Sequence, residues 1–132
     1  MSTISALTAK LTNIQDAAGA NGSTPQQIQQ GRAKAWFNLD GTGTIAARDS
    51  FGMSSFTDLG VGSYSVAYAT PQPNSGGCVN VSAGNSPGGN GVVVINASTG
   101  APSNTGFAIA CLNPGATATV DQAHVMAELT GD

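Results

Sequence analysis

Residues 33–40 alternate apolar and polar side chains, and this period of two constrains the fold more than any other feature of the chain. Ala35, Phe37 and Leu39 fall on one side of the alternation, and Trp36 falls on the other. Because successive side chains of a β-strand point to opposite faces, the segment predicts a strand with one apolar face.

Short segments of the same kind recur along the rest of the chain, separated by glycine- and proline-containing turns. In one of them Tyr64, Val66 and Tyr68 share a face. Further strands are predicted at 44–51, 54–58, 63–70, 78–83, 92–97, 106–112 and 118–129. Short strands at near-regular spacing are typical of a β-sandwich or a small barrel. The sequence therefore predicts an all-β fold, with an antiparallel β-sandwich or small barrel over residues 33–132, preceded by one short N-terminal helix.

That helix is predicted over residues 1–18, where four large apolar residues recur at spacings of three, four and three: Ile4, Leu7, Leu11 and Ile14. This spacing places them on one face of a helix. We expect the apolar stripe to serve in attachment or trimerisation; the alternative is a helix that lies on its own domain or on a neighbouring protein. Residues 19–32 contain many turn formers and glutamines, and they are predicted to form a linker.

Charge is scarce in this chain, and what there is excludes some functions. Charged residues make up 8% of the sequence, against about 25% in a typical soluble domain. The net charge is −3, and no basic stripe is present to bind a phosphate backbone, so we expect no nucleic-acid partner.

Aromatic residues make up only 5% of the chain. This predicts a thin core and a need for buried surface supplied by other subunits.

Few of the residues that catalysis needs are present. His124 is the single histidine, and neither Cys78 nor Cys111 lies at a helix start that would lower its pKa and allow a Cys–His dyad. Glu128 follows His124 by four residues, so the two side chains would share one face of a strand. A metal site, however, generally takes three or four ligands. We therefore expect no enzyme, no cofactor and no metal. The cysteines are expected to be buried thiols rather than a disulfide, although the sequence leaves their pairing open.

Trp36 and Tyr64 are the candidates for surface recognition, because aromatic rings can stack on sugars. The alternative is that they anchor the core or an interface.

No basic and apolar leader of the secretory type is recognisable at the N-terminus, and the longest apolar run, 107–112, is too short to span a bilayer. We expect a protein made in a cytoplasm, without membrane insertion.

Residues 30–70 resemble a module of tail-fibre and related virion proteins of tailed bacteriophages. The resemblance rests on five motifs in order: Ala33-Lys-Ala-Trp36, Asp40-Gly-Thr-Gly43, Arg48-Asp-Ser-Phe51, Ser54-Ser-Phe-Thr-Asp58 and Gly62-Ser-Tyr64. The ending, residues 124–132, is similar to the last strand of the same module.

The resemblance implies an antiparallel β domain, a homotrimer and a place on the outer surface of the virion, and it brings no catalytic residues. It further implies synthesis in the bacterial host and contact with other virion proteins, such as a major capsid or tail protein. The module usually ends a long fibre, whereas here it follows one short segment. A capsid decoration (cement) protein or a short fibre component is therefore expected, with a receptor- or carbohydrate-binding tail-fibre module as the alternative.

Overall fold

The computed structural model describes residues 11–84 and 91–131. The chain divides between Arg32 and Ala33 into two compact units, at the position where the alternating pattern begins. Residues up to Arg32 are called unit 1 here, and residues from Ala33 onward are called unit 2.

Residues 11–18 of unit 1 are not helical, so the prediction of a helix over 1–18 is wrong for its described part. Ile14 instead pairs with Ser23 through two backbone hydrogen bonds, of 2.9 and 2.7 Å. Asp16 gives the physical reason. Its carboxylate accepts hydrogen bonds from the backbone N–H groups of Ala18 and Ala20, and an Asp that binds its own local backbone competes with helix formation.

The short helix before the strands is α1, Pro25–Gly31, which lies inside the segment predicted to be a linker. Thr24 Oγ1 accepts a hydrogen bond from Gln27 N at 3.2 Å, and Gln27 Oε1 accepts one from Thr24 N at 2.8 Å. This is a capping box, with Pro25 at a position where a missing N–H costs nothing. Within 11–84 and 91–131, no helix has the length and apolar content needed to cross a bilayer.

The described part of unit 2 contains eight strands and one four-residue helix. They are β1 Ala35–Asp40, β2 Ala46–Phe51, β3 Met53–Gly60, β4 Ser63–Tyr68, β5 Cys78–Gly84, β6 Val92–Ile95, α2 Ala97–Gly100, β7 Gly106–Leu112 and β8 His124–Thr130.

The strands form two four-stranded antiparallel sheets. The first sheet has the order β2-β1-β8-β5, and the second has the order β3-β4-β7-β6. The sheets remain separate, so the predicted all-β sandwich is confirmed and the barrel alternative is wrong. All eight predicted strands are present, but the last is shorter than expected, because residues 118–123 form a loop and β8 begins at His124.

The core of unit 2 lies between the two sheets, and the central strands of each sheet contribute most of it. Phe37 is at its centre, with its ring centroid 5.3 Å from that of Phe56 and 6.5 Å from that of Phe107. The first sheet contributes Ala35, Phe37, Leu39, Val125, Ala127 and Leu129, and the second contributes Tyr64, Val66, Tyr68, Phe107, Ile109 and Cys111. The apolar faces predicted for β1 and β4 are therefore the faces that are buried.

Candidate functional site

The candidate site lies on the outer face of the first sheet, which points away from the core. Trp36 on β1 is opposite Glu128 on β8, and Glu128 is in turn opposite Asn80 on β5. One row further along, Met126 is opposite Ser82. The alternation that buries the core residues of these strands places the five side chains on the solvent side.

These side chains surround an open groove of about 370 Å³, called the Trp36 groove here. Its lining residues are Trp36, Asn80, Val81, Ser82, Met126, Ala127 and Glu128. Trp36 and Met126 supply apolar walls. Across the described ranges, the side chains of Asn80, Ser82 and Glu128 hold no hydrogen bond or ion pair. Their donors and acceptors are therefore available to a ligand.

The chemistry of the Trp36 groove suits binding. Among the described residues that line the groove, Glu128 is the one with a charged side chain, and none is a Lys or Arg. His124 is on the same face of β8, as predicted, but it is opposite Gly84 and does not line the groove. Nowhere in 11–84 or 91–131 do three His, Cys, Asp or Glu residues come together in a way that could hold a metal ion.

Arg48, on β2, is held at the β1–β2 turn by its own contacts. Its guanidinium lies 2.6 Å from Asp40 and also donates to the backbone carbonyls of Leu39 and Ala123. Hydrogen bonds from the hydroxyl and backbone N–H of Thr42 lower the pKa of Asp40, with a smaller contribution from Arg48. Arg48 therefore has a structural role at the turn.

Tyr64 is fully buried, so the prediction that it serves in surface recognition is wrong. Its hydroxyl donates to Gly41 O at 2.8 Å and lies 3.0 Å from Asp121 Oδ1. The same carboxylate accepts a hydrogen bond from Gly62 N at 2.7 Å. Burial raises the pKa of Tyr64 well above its ordinary value, and the carboxylate of Asp121 adds to the shift. Tyr64 thus connects the β1–β2 turn, the β3–β4 turn and the loop before β8.

Of the four residues predicted for attachment or trimerisation, two are described. Leu11 and Ile14 are 52% and 50% exposed, and Ile28 on α1 is 41% exposed. Ile4 and Leu7 lie outside the described residues. Ile14 and Ile28 share an open groove of unit 1, of about 350 Å³, with Pro25, Gln29 and Arg32. Unit 1 therefore presents apolar side chains to its surroundings.

Both cysteines are free thiols. Cys111 is buried in the core, as predicted, and burial raises the pKa of its thiol to about 12. Cys78 is exposed at the start of β5, contrary to the prediction, because it lies on the same outward-facing side of the strand as Asn80.

The sequence pointed to Trp36 as a recognition residue but missed Asn80, Ser82, Met126 and Glu128 as its neighbours. Their outward positions follow from the alternation. Their proximity depends on β8 lying between β1 and β5, and this strand order cannot be read from the local pattern.

No protein-family model matches the chain, and no curated protein has significant sequence similarity to it. Among solved structures, the chain is similar to the phiAB6 tailspike, which was crystallised in complex with three-repeated oligosaccharides of Acinetobacter baumannii surface polysaccharide. The TM-score is 0.59 at 14% sequence identity, and the likeness covers 99% of this chain and 30% of the tailspike chain. At this level of identity, the likeness concerns the fold, which this chain shares with part of a phage tailspike.

Proposed function

We propose that this chain is a non-enzymatic structural protein of a bacteriophage particle, which assembles as a homotrimer on the outer surface as a capsid decoration protein or short fibre component. The observation that carries the proposal is the fold likeness to a phage tailspike over 99% of the chain. The motifs of residues 30–70, which resemble a tail-fibre module, support it independently.

Self-assembly is supported by the distribution of charge. Positions 59–120 carry no Asp, Glu, Lys or Arg, and they include all of β4, β5, β6 and β7. The cores of protein interfaces are depleted of charge, and a surface without charge does not repel a second copy of itself.

Unit 1 supports attachment. Leu11, Ile14 and Ile28 are large apolar residues that are about half exposed, and exposed apolar clusters mark interaction sites. We assign these residues, together with Ile4 and Leu7, to contacts with further copies or with a major capsid or tail protein.

The proposal is tested on purified virions of the phage that encodes the chain. We expect the protein in the particle in a copy number divisible by three, and accessible to antibody on intact particles by immunoelectron microscopy. A protein found only in the lysate, and absent from purified virions, would contradict the proposal.

The Trp36 groove favours a second candidate function, the binding of a carbohydrate receptor. A partly buried indole beside an amide, a hydroxyl and a carboxylate offers a stacking surface together with donors and acceptors for sugar hydroxyls. Because Glu128 is the only charged lining residue, a neutral saccharide fits better than an acidic one.

Trp36 is the only tryptophan of the chain, so its fluorescence reports this groove directly. We expect neutral oligosaccharides such as maltohexaose or mannohexaose to cause a saturable change, and trigalacturonic acid to cause none. Calorimetry should show that Trp36→Ala loses binding while Phe51→Ala, a neighbouring exposed aromatic outside the groove, retains it. Equal binding by both variants would place any saccharide site elsewhere.

A further inference from the structure

We infer that the outer face of the second sheet is the surface through which copies of this chain meet. The inference rests on the proposed homotrimer and identifies the surface that forms it. It follows from the strand register, the distribution of charge and the exposure of two valines.

The register defines which side chains form this face. Val66 and Ile109 point into the core, so their neighbours along β4 and β7 point outward. Thr57 is opposite Ser65, and Val94 is opposite Ala110. Ala108 and Ala110 of β7 also point outward, but they are buried, and Gly100 of α2 lies against Ala108. The outward residues that remain exposed or half-buried are Ser55, Thr57, Ser63, Ser65, Ala67, Val92, Val94 and Leu112. None of them is charged, and this set is called the neutral face here.

The first sheet has the opposite character. Its strands carry Asp40, Arg48, Asp49, His124 and Glu128. In the second sheet, the described strands hold a single charged residue, Asp58, which is opposite the inward-pointing Tyr64 and so is not part of the neutral face. Apart from Asp58, the charged strand residues in the described part of unit 2 therefore lie on the first sheet.

The uneven distribution of charge between the two sheets favours a second copy of this chain as the partner of the neutral face. Each copy carries a net charge of −3, and Asp49 and Glu128 are exposed on the first sheet without an ion pair in the described segments. If first sheets met, these carboxylates would approach one another and repel. Neutral faces meet without that cost. A positively charged partner protein would instead bind the first sheet, because the exposed carboxylates are there.

Val92 and Val94 supply the apolar part of the contact, because they are 41% and 38% exposed at the edge of the neutral face. Met126, on the outer face of the first sheet, is 37% exposed. Val94 and Met126 are thus two outward apolar strand residues of nearly equal exposure, one on each sheet, and they form a matched pair for mutation.

The test compares the full-length chain with Val94→Lys and Met126→Lys by sedimentation velocity, with circular dichroism to check folding. We expect Val94→Lys to weaken association by at least about a hundredfold, the usual effect of a buried interface charge, while Met126→Lys assembles like the wild type. Thr57→Glu adds charge to the neutral face at an exposed polar position and should also dissociate the assembly. It provides an independent measurement if Val94→Lys does not fold.

The outcomes separate the two proposals. If the wild type assembles and Val94→Lys and Thr57→Glu assemble equally well, the neutral face is not the interface, and the homotrimer stands. Dissociation by Met126→Lys alone would place the interface on the first sheet. A monomeric wild type would overturn both the homotrimer and this inference.

Discussion

The hydroxyl of Tyr64 donates a hydrogen bond to the backbone carbonyl of Gly41 across 2.8 Å, which ties a strand of the second sheet to a turn of the first. Both residues are buried, so the carbonyl has no access to water that could replace the bond. The connection fixes the β1–β2 turn over the end of the core.

Replacing Tyr64 with Phe should therefore destabilise unit 2. Loss of the hydroxyl leaves the Gly41 carbonyl unsatisfied, and we expect the free energy of unfolding to fall by roughly 1–2 kcal/mol. The control is Tyr68→Phe, since the Tyr68 hydroxyl has no hydrogen-bond partner among the described residues. Urea denaturation at equal protein concentration measures both variants, and equal losses would contradict this role for Tyr64.

Gly62 and Gly43 separate steric crowding from backbone strain. Their φ angles are +64° and +63°, but a Cβ at Gly62 would lie 2.6 Å from Val120 N, whereas a Cβ at Gly43 would meet nothing within 4 Å. Gly43→Ala should cost only the left-handed conformation, about 1–2 kcal/mol. Gly62→Ala should cost a further ~1–3 kcal/mol, because the backbone beside it must move. Thermal denaturation should therefore show a larger loss of stability for Gly62→Ala than for Gly43→Ala. Equal losses would contradict the role of crowding at Gly62.

Removing the ring of Phe37, which is buried, should lower the free energy of unfolding more than removing an exposed aromatic ring. Phe37 packs against the rings of Phe56 and Phe107, so Phe37→Ala should lower the free energy of unfolding by about 3–5 kcal/mol. Phe51 is 58% exposed and pairs with Trp36 across β1 and β2, so Phe51→Ala should cost less than about 1 kcal/mol. Chemical denaturation compares the two, and a small effect at Phe37 would show that the sandwich core is wrongly assigned.

Alkaline pH should unfold the protein through its buried acids. Burial raises the pKa of the Cys111 thiol from 9.0 to about 12, and that of Tyr68 from 10.0 to about 12. The folded state keeps these protons while the unfolded chain releases them, so stability is complete below pH 9.0 and falls as pH rises towards 12. Between pH 9.0 and 10.0, Cys111→Ala should flatten the decline in unfolding free energy. An unchanged slope in that variant would rule out Cys111 as the cause.

The strands were predictable because their signal is local. In β1 and β4, alternation alone identified the buried face, including Phe37 and Val66, since a half-buried strand needs nothing more than a period of two. The same alternation puts Tyr64 on the face of β4 that it shares with Val66, and its ring is therefore buried rather than available for surface recognition.

The errors in unit 1 have a different origin. The spacing of Leu11 and Ile14 fits a helix, but the carboxylate of Asp16 forms local hydrogen bonds that favour a turn. The real helix was signalled by Thr24 and Gln27, a capping box whose reciprocal hydrogen bonds outweigh the turn-rich composition around it. Capping residues were a better guide than apolar spacing over so short a segment.

The Trp36 groove and the neutral face could not be predicted from sequence, because both depend on which strands are neighbours. Asn80 comes near Trp36 only because β8 lies between their strands. The lack of charge over positions 59–120 is visible in the sequence, but its meaning depends on the topology, which places β4, β6 and β7 together in one sheet.

Sedimentation velocity of the purified full-length chain, from micromolar down to nanomolar concentration, tests the central claim most directly. Self-assembly through uncharged and apolar surfaces predicts a species of three times the chain mass of 13.0 kDa that persists on dilution. A stable, folded species of 13.0 kDa at every concentration would contradict it.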